Sequence, residues 1–170
     1  MNQGQVVAMA RKYWLFKSEP QVFSISDLER TPLKTTCWDG IRNYQARNYL
    51  RDEVAVGDQV LFYHSNAEPP AIVGIAEVVK GGYPDSSAFK KGNKYFDEKS
   101  DLQNPTWFVV DIKHIETFDK PVGLPELRGN AKLKGMVLLQ KGSRLSIQPV
   151  KADEWQSVLN MAQLAATQKA

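Results

Sequence analysis

Short runs of β-branched and aromatic residues recur along this chain, and each run ends at a proline, a glycine or a polar turn. Runs of this composition and length predict β-strands. The predicted strands are residues 13–17, 59–64, 71–80, 107–118 and 145–149. We expect the strand aromatics Trp14 and Phe16 in the core. Gly74 predicts a bulge or a close approach of two backbones, and the polar connection 67–70 predicts a hairpin.

Apolar residues at helical spacing predict helices between and after these strands. Ser24, with Asp27 three residues later, resembles a capping pair at the start of a short helix that Pro32 ends. A second helix is predicted over residues 43–53, and a single helical turn over residues 124–127. In the last helix, one face is formed by Trp155, Val158, Leu159 and Ala162.

The order of these elements predicts an α+β fold, with a largely antiparallel, curved sheet flanked by helices. The sequence contains no internal repeat or linker, and 170 residues fit one domain. We expect that domain over residues 12–164, with loose tails at residues 1–11 and 165–170. Residues 81–106 are irregular, which is typical of a functional or disordered loop.

Composition narrows the possible classes of function. The chain is 42% hydrophobic and 24% charged, and no stretch reaches the roughly 18 apolar residues of a membrane helix. Cys37 is the single cysteine and no signal peptide is visible, so we expect a cytoplasmic protein without a membrane partner. We also expect a monomer. The net charge of +3 is compatible with a phosphate-bearing partner, but holding it would require more than charge.

Most motifs of catalysis are absent from the sequence. It lacks the glycine-rich phosphate loops of nucleotide-binding proteins and the serine elbow of hydrolases. His64 and His114 are the only histidines, so we expect no metal site and no cofactor. Cys37 and His64 could form a nucleophile pair, although a buried, inert thiol is the commoner fate of a single cysteine.

Aromatic residues stand beside small polar residues in three segments, 16–19, 37–44 and 63–66. A base-binding pocket needs this combination, because flat rings stack on the base and polar groups read its edge. A fourth run, residues 89–96, interleaves aromatics with cations as phosphate-contacting loops do, although a solvated loop fits equally well. Composition alone leaves open whether Trp38 is a half-exposed site residue or part of the core.

Six segments, in this order, resemble the signature blocks of the EVE domain. These segments are residues 14–20, 36–48, 62–66, 74–78, 83–85 and 145–150. The most specific blocks are Lys-Ser-Glu-Pro at 17–20 and Trp-Asp-Gly-Ile-Arg-Asn at 38–43. The resemblance implies a PUA-like pseudo-barrel, a fold shared with the YTH domain, which reads N6-methyladenine in RNA through an aromatic cage. It also implies recognition of a modified base, particularly a C5-modified cytosine in DNA.

We therefore predict a non-catalytic module that binds nucleic acid, DNA or RNA, and holds a flipped, modified base in an aromatic pocket. The predicted pocket residues are Lys17, Ser18, Glu19, Trp38, Asp39, Gly40, Asn43, Tyr63, His64, Ser65, Tyr83, Pro84, Ser146 and Gln148. The predicted contacts to phosphate or backbone are Arg42, Lys90, Lys91 and Arg144.

Two alternative functions remain. Some PUA-like relatives are amidohydrolases that act on modified nucleosides with a lysine, a hydroxyl residue and a glutamate. Lys17, Ser18 and Glu77 could imitate that set if the lysine had a lowered pKa. The chain could instead be an interaction module whose pocket takes a peptide or a small metabolite.

Overall fold

The computed structural model describes residues 10–169, with side chains for residues 10–163. Residues 1–9 of the expected N-terminal tail, and residue 170, lie outside this range. Residues 165–169, which were expected in a C-terminal tail, belong to the backbone of the last helix.

Strands and helices alternate irregularly along the described residues. The strands are β1 (Tyr13–Ser18), β2 (Thr35–Cys37), β3 (Gln59–His64), β4 (Ala71–Pro84), β5 (Phe108–Gly123) and β6 (Ile147–Val150). The α-helices are α1 (Ile25–Arg30), α2 (Tyr44–Asn48), α3 (Leu124–Arg128) and α4 (Ala152–Lys169). None of the helices in this part of the chain is long and apolar enough to cross a membrane.

The six strands form one sheet in the order β2-β5-β4-β3-β1-β6. β1 runs parallel to β3, and the other neighbouring pairs are antiparallel. The predicted α+β class and the hairpin of β3 and β4 are therefore confirmed. Because β1 and β3 are parallel, their final residues Ser18 and His64 lie at the same edge of the sheet.

The sheet buries apolar side chains on both faces, because successive residues of a strand point to opposite sides. Trp14 and Phe16 of β1 lie in one core cluster, while Leu15 between them lies in a second. The first cluster includes Trp38, and the second includes the α4 residue Trp155. The expectation that Trp14 and Phe16 belong to the core is confirmed.

The backbone of β4 approaches β5 very closely at Gly74. The strand register shifts between Ile72 and Gly74, which is the predicted bulge. A Cβ atom at Gly74 would collide with the carbonyl oxygen of Glu116 and with the side chain of Ile25. The close approach that the sequence predicts here is therefore confirmed.

Four elements differ clearly from the sequence-based expectation. β2 was not predicted, because its three residues are half-exposed or exposed and show no alternation. β4 and β5 extend beyond their predicted ends as they continue to pair with each other. The predicted helix over residues 43–53 is α2 followed by a π-helical turn, Tyr49–Glu53.

Candidate functional site

A cavity of about 690 Å³ opens where β1 and β2 end. Its volume lies within the usual range for ligand pockets. The cavity is lined by Lys17, Ser18, Glu19, Val22, Phe23, Thr36, Cys37, Trp38, Asp39, Gly40, Ile41, Asn93, Lys94, Tyr95 and Ser146. Aromatic rings therefore share the lining with hydroxyl, carboxyl and ammonium groups, a combination that suits a flat ligand with polar edges.

One side of the cavity is a tight turn that follows β1. The amides of Val22 and Phe23 both donate to the carbonyl oxygen of Glu19, at 2.9 Å each. The hydroxyl of Ser18 donates to the carbonyl oxygen of Phe23 at 2.5 Å. These bonds fix the turn, so that Phe23 faces the cavity while Val22 is 61% exposed at its rim.

Trp38 forms the floor of the cavity, directly after β2. Its indole centroid lies 5.5 Å from those of Phe16 and Phe62 and 6.2 Å from that of Phe23. The ring is only 7% exposed and yet lines the cavity, so Trp38 belongs to the core and to the pocket lining at once. Trp38 is buried because three aromatic rings pack around it, and its orientation is fixed by the core.

Another part of the cavity lining is Tyr95, which comes from the irregular loop between β4 and β5. Gly40 has a φ of 80°, and a Cβ atom there would collide with the Tyr95 ring. Glycine thus permits both the left-handed backbone and the close contact of this ring with the backbone. The Tyr95 ring centroid also lies 5.4 Å from the guanidinium of Arg42.

The guanidinium of Arg42 is fully occupied by contacts within the described protein. Its Nε and Nη2 donate to the carbonyl oxygen of Tyr95 at 3.3 and 2.7 Å, and Nη2 also donates to Ser87 Oγ. Nη1 donates to the carbonyl oxygen of Ile41 and to Asp85 Oδ2, both at 3.0 Å. These five contacts match the five N–H donors of arginine. Arg42 therefore holds the Tyr95 loop against the turn after Trp38.

Asp85 is the buried acceptor of the hydrogen-bond network around Arg42. It is 1% exposed and accepts from the Gly40 amide at 3.0 Å, from the Ser87 amide at 2.9 Å and from Ser87 Oγ at 2.6 Å, besides Arg42. Burial alone would raise the pKa of Asp85, but the hydrogen bonds from Ser87, Gly40 and Arg42 together lower it. The buried group is therefore a carboxylate with a full set of donors.

Three titratable groups in the lining have shifted pKa values. Burial lowers the pKa of the Lys17 ammonium. Burial, followed by the nearby carboxylate of Asp85, raises the pKa of Asp39. Burial also raises the pKa of the Cys37 thiol, despite a hydrogen bond with Tyr83 that lowers it. Each shift favours the neutral form of its group, as partial burial of an ionisable group does.

The structure brings half of the predicted pocket residues together. The predicted residues that line the cavity are Lys17, Ser18, Glu19, Trp38, Asp39, Gly40 and Ser146. The sequence reasoning missed the turn residues Val22 and Phe23, the strand residues Thr36 and Cys37, the neighbouring Ile41, and the loop residues Asn93 to Tyr95. The aromatic and cationic run at 89–96 was the available signal for that loop.

The remaining predicted pocket residues lie outside the lining. Asn43 caps α2 by accepting from the Ala46 amide, and Tyr63 is buried in the second core. Tyr83 donates to Asp111, Gln148 is buried with its amide nitrogen bonded to Leu145, and the Ser65 amide donates to Ser18. Pro84 ends β4. Lys90, Lys91 and Arg144 are exposed. Their roles stay predictions.

The Cys37–His64 pair that the sequence allowed is not formed. His64 Nε2 accepts a hydrogen bond from the Ile25 amide at 3.1 Å, which ties β3 to the start of α1. Cys37 is exposed, so the expectation that it is buried is wrong, and its thiol has Tyr83 and the carboxyls of Asp39 and Asp111 around it. A thiol among carboxyl groups is held protonated, so it is a poor nucleophile.

The alternative set of Lys17, Ser18 and Glu77 is not assembled either. Lys17 pairs with Tyr63 across the sheet, whereas Glu77 pairs with Gln59. The two positions on β3 are separated by about 13 Å at the usual rise of a strand. Among the described residues, no group of three histidine, cysteine or acidic side chains could hold a metal ion.

Comparison with known proteins identifies the family. The EVE domain model matches residues 12–161, which confirms the predicted family. Thymocyte nuclear protein 1 of Homo sapiens is 41% identical over 166 residues, which cover 88% of this chain and 73% of that protein. The protein of the same name from Gallus gallus is 39% identical and is covered over 68% of its length, with 88% of this chain.

Solved structures share the whole fold. A hypothetical protein from Leishmania major has a TM-score of 0.85 and 44% identity, covering 92% of this chain and 97% of that one. A Pseudomonas syringae protein has a TM-score of 0.83 and 45% identity, covering 88% and 99%. The human THYN1 protein, in complex with 5-methylcytosine-containing DNA, has a TM-score of 0.84 and 41% identity, covering 89% and 97%. The predicted PUA-like pseudo-barrel is confirmed.

The same relatives correct one expectation. The name Thymocyte nuclear protein 1 points to a nuclear protein rather than a cytoplasmic one, so the expected cytoplasmic location is contradicted. The inference rested on a single cysteine, which indicates reducing conditions and does not distinguish cytosol from nucleus. Family model, relatives and solved structures agree over nearly all of the described residues, and the chain belongs to the EVE domain family.

Proposed function

We propose that this chain is a non-catalytic module that binds DNA carrying a C5-modified cytosine. The modified base is flipped out of the helix and held in the cavity between Trp38 and Tyr95. The observation that carries this proposal is the aromatic cavity of about 690 Å³ in a chain that is 41% identical to human THYN1. The crystal structure of that relative is a complex with 5-methylcytosine-containing DNA.

The energetics of flipping favour walls that are already in place. Extruding a base costs a few kcal/mol, and stacking on aromatic side chains returns about 1–3 kcal/mol for each base. Trp38 is held by the core, and Tyr95 is held by Arg42 and the Gly40 backbone. Because both rings are ordered without ligand, little of the stacking energy is spent on arranging them.

Asp39 is the group that suits the edge of cytosine. Cytosine presents an exocyclic amine, a donor that a carboxylate accepts well, whereas thymine presents a carbonyl oxygen at the same position. The raised pKa of Asp39, caused first by burial, also allows a protonated carboxyl that donates to the ring nitrogen. In this proposal Asp39 selects the base, while the apolar walls receive its C5 substituent.

Binding rather than turnover is supported by the chemistry of the cavity. The Cys37 thiol has a raised pKa, which disfavours a nucleophile, and Glu77 lies far along the sheet from Lys17. Lys94 adds an ammonium group to the lining, which can contact a phosphate of the ligand.

The test is fluorescence anisotropy with labelled duplexes that differ by one methyl group on a central cytosine. Burying one methyl group contributes about 0.8 kcal/mol, so the methylated duplex should bind about fourfold more tightly. Tyr95→Ala should lower that affinity about tenfold by removing a stacking wall. Phe96→Ala is the matched control, since Phe96 is the next residue, 36% exposed and outside the lining.

Two outcomes would overturn the proposal. Equal affinity for methylated and unmethylated duplexes would show that the protein does not recognise the modified base. Equal affinity of the wild type and Tyr95→Ala would show that the cavity is not the binding site. Asp39→Asn should shift preference from cytosine towards thymine, and a methylated RNA of the same sequence tests whether RNA replaces DNA as the partner.

A further inference from the structure

A column of stacked side chains runs from the cavity to the protein surface. Its inner end is Tyr95, which lines the cavity. The Arg42 guanidinium lies 5.4 Å from the Tyr95 ring centroid and 5.2 Å from that of Trp107. Trp107 in turn stacks on Tyr44, with centroids 5.0 Å apart and planes 30° apart. The column therefore connects the proposed base pocket to an exposed tyrosine at the start of α2.

Tyr44 presents one free face to solvent. Trp107 covers the inner face of its ring, yet Tyr44 is still 63% exposed, whereas Trp107 is only 6% exposed. A tyrosine that merely completed the core would be covered on both sides. The exposed fraction therefore belongs largely to the outer face and to the ring edge.

Arg47 lies close to both rings of this stack and not on the outer face of Tyr44. Its guanidinium is 5.2 Å from the Tyr44 centroid and 6.0 Å from the Trp107 centroid, while the two rings are 5.0 Å apart. Three nearly equal separations form a triangle. A guanidinium on the outer face of Tyr44 would be about twice as far from Trp107. A hydrogen bond of 2.6 Å to the carbonyl oxygen of Thr106 fixes Arg47 in this position.

We propose that the exposed face of Tyr44, with the Arg47 guanidinium at its side, is a second stacking site for one unpaired base of the bound DNA strand. An open aromatic face next to a cation is the arrangement with which proteins hold single-stranded nucleic acid, because every base has a flat face and a phosphate beside it. The second site rests on the proposed function, since the strand that it holds is the one whose modified base occupies the cavity.

The column also determines where the strand must run. Three successive contacts of 5.4, 5.2 and 5.0 Å join Tyr95 to Tyr44, so the second base lies within a few nucleotides of the flipped base on the same strand. A base stacked there cannot remain paired within a straight duplex. The second site therefore favours strands that are already unpaired next to the modified base, such as a single strand or a frayed end.

The experiment is a double-mutant cycle between Tyr44 and the DNA. Labelled single strands of about nine nucleotides, a usual site size, carry one central 5-methylcytosine, and the bases on one flank are replaced by abasic sites. Loss of one stacked base lowers affinity about tenfold. Tyr44→Ala should cause this loss with the intact strand and no further loss with the strand abasic on the contacted flank.

The controls separate stacking from folding and from the pocket. Tyr44→Phe keeps the flat face and should bind as the wild type does. Val56→Ala changes a residue that is equally exposed, at 64%, and should have no effect. Binding of free 5-methyldeoxycytidine, followed by NMR, reports on the cavity alone and should be unchanged in Tyr44→Ala.

The outcomes distinguish the two proposals. If Tyr44→Ala binds the intact strand as tightly as the wild type, the second site is wrong while the cavity stands. If the wild type ignores the methyl group yet shows the coupled loss, the modified-base proposal is wrong and the second site stands. If the wild type binds the methylated duplex but none of the single strands, the second site is wrong while the cavity stands, and if it binds neither, both proposals are overturned.

Discussion

Replacing Arg42 with methionine tests whether this residue holds the cavity together or contacts phosphate. Methionine keeps much of the apolar stem but removes every donor, and Asp85 is left as a carboxylate at 1% exposure. Removing one partner of a buried ion pair costs about 3–5 kcal/mol. The Arg42 side chain is itself 23% exposed, so we expect the lower end, about 3 kcal/mol. That is a large part of the stability of an ordinary domain, which is about 5–15 kcal/mol.

The assay is urea unfolding, in which a lower midpoint at constant slope measures the loss of stability. Arg42→Met combined with Asp85→Asn should be about 1–2 kcal/mol more stable than Arg42→Met alone, because no buried carboxylate is then left unpaired. The dependence of DNA affinity on salt should keep its slope in Arg42→Met. Lys90→Met, at an exposed cation predicted to contact phosphate, should reduce the slope by about 0.9 if that contact exists. A loss of stability below about 1 kcal/mol together with a shallower slope in Arg42→Met would refute the structural role.

Three further predictions follow from the same site. Gly40→Ala should lower the free energy of unfolding, measured in urea, by about 1–2 kcal/mol, because φ is 80° at this position and the new Cβ atom meets Tyr95. The same variant should bind methylated DNA more weakly. An unchanged unfolding midpoint and an unchanged affinity would contradict this prediction. Burial lowers the pKa of His64 in the folded protein below its ordinary value of 6.5. The stability that the neutral ring provides by accepting from the Ile25 amide should therefore be complete above pH 6.5 and be lost as the pH falls through the lower pKa of the folded state. Urea unfolding midpoints that depend on pH in the same way in the wild type and in His64→Gln would argue against this. Burial raises the pKa of Cys37, so alkylation of its thiol at pH 8 should be slower than alkylation of a free thiol. Because Cys37 lines the cavity, bound methylated DNA should slow the reaction further. An alkylation rate that DNA leaves unchanged would place the ligand elsewhere.

Local patterns predicted the elements that carry their own signal. The capping pair of Ser24 and Asp27 is present at α1, and the apolar face of the last helix lies in the core as expected. Gly74 marks the bulge because no side chain fits between two backbones there. Each of these features is decided by residues close together in the sequence or by the size of one residue.

The part of the lining formed by Tyr95 and held by Arg42 could not be predicted in the same way. Arg42 is separated from Asp85 by 43 residues and from the Tyr95 carbonyl by 53, so no local pattern records that they meet. Because the sequence does not show those partners, Arg42, a cation beside aromatic residues, was predicted to contact phosphate or backbone. The structure instead shows its donors occupied by the protein, which changes what its substitution is expected to do.

The cavity and the stability of the fold are linked through this one arginine. Flipping a base costs a few kcal/mol of binding free energy. A binding module with a small net positive charge gains little from electrostatic attraction, so a further cost of ordering its pocket walls would leave it with weak affinity. Here one wall is fixed by the aromatic core and the other by a buried ion pair, before any ligand arrives. A substitution that loosens Tyr95 should therefore weaken binding without removing any contact to the base, and its effect on affinity should follow its effect on stability. Variants of Lys17 or Asp39, two lining residues outside the hydrogen bonds that hold Tyr95 in place, should break that correlation.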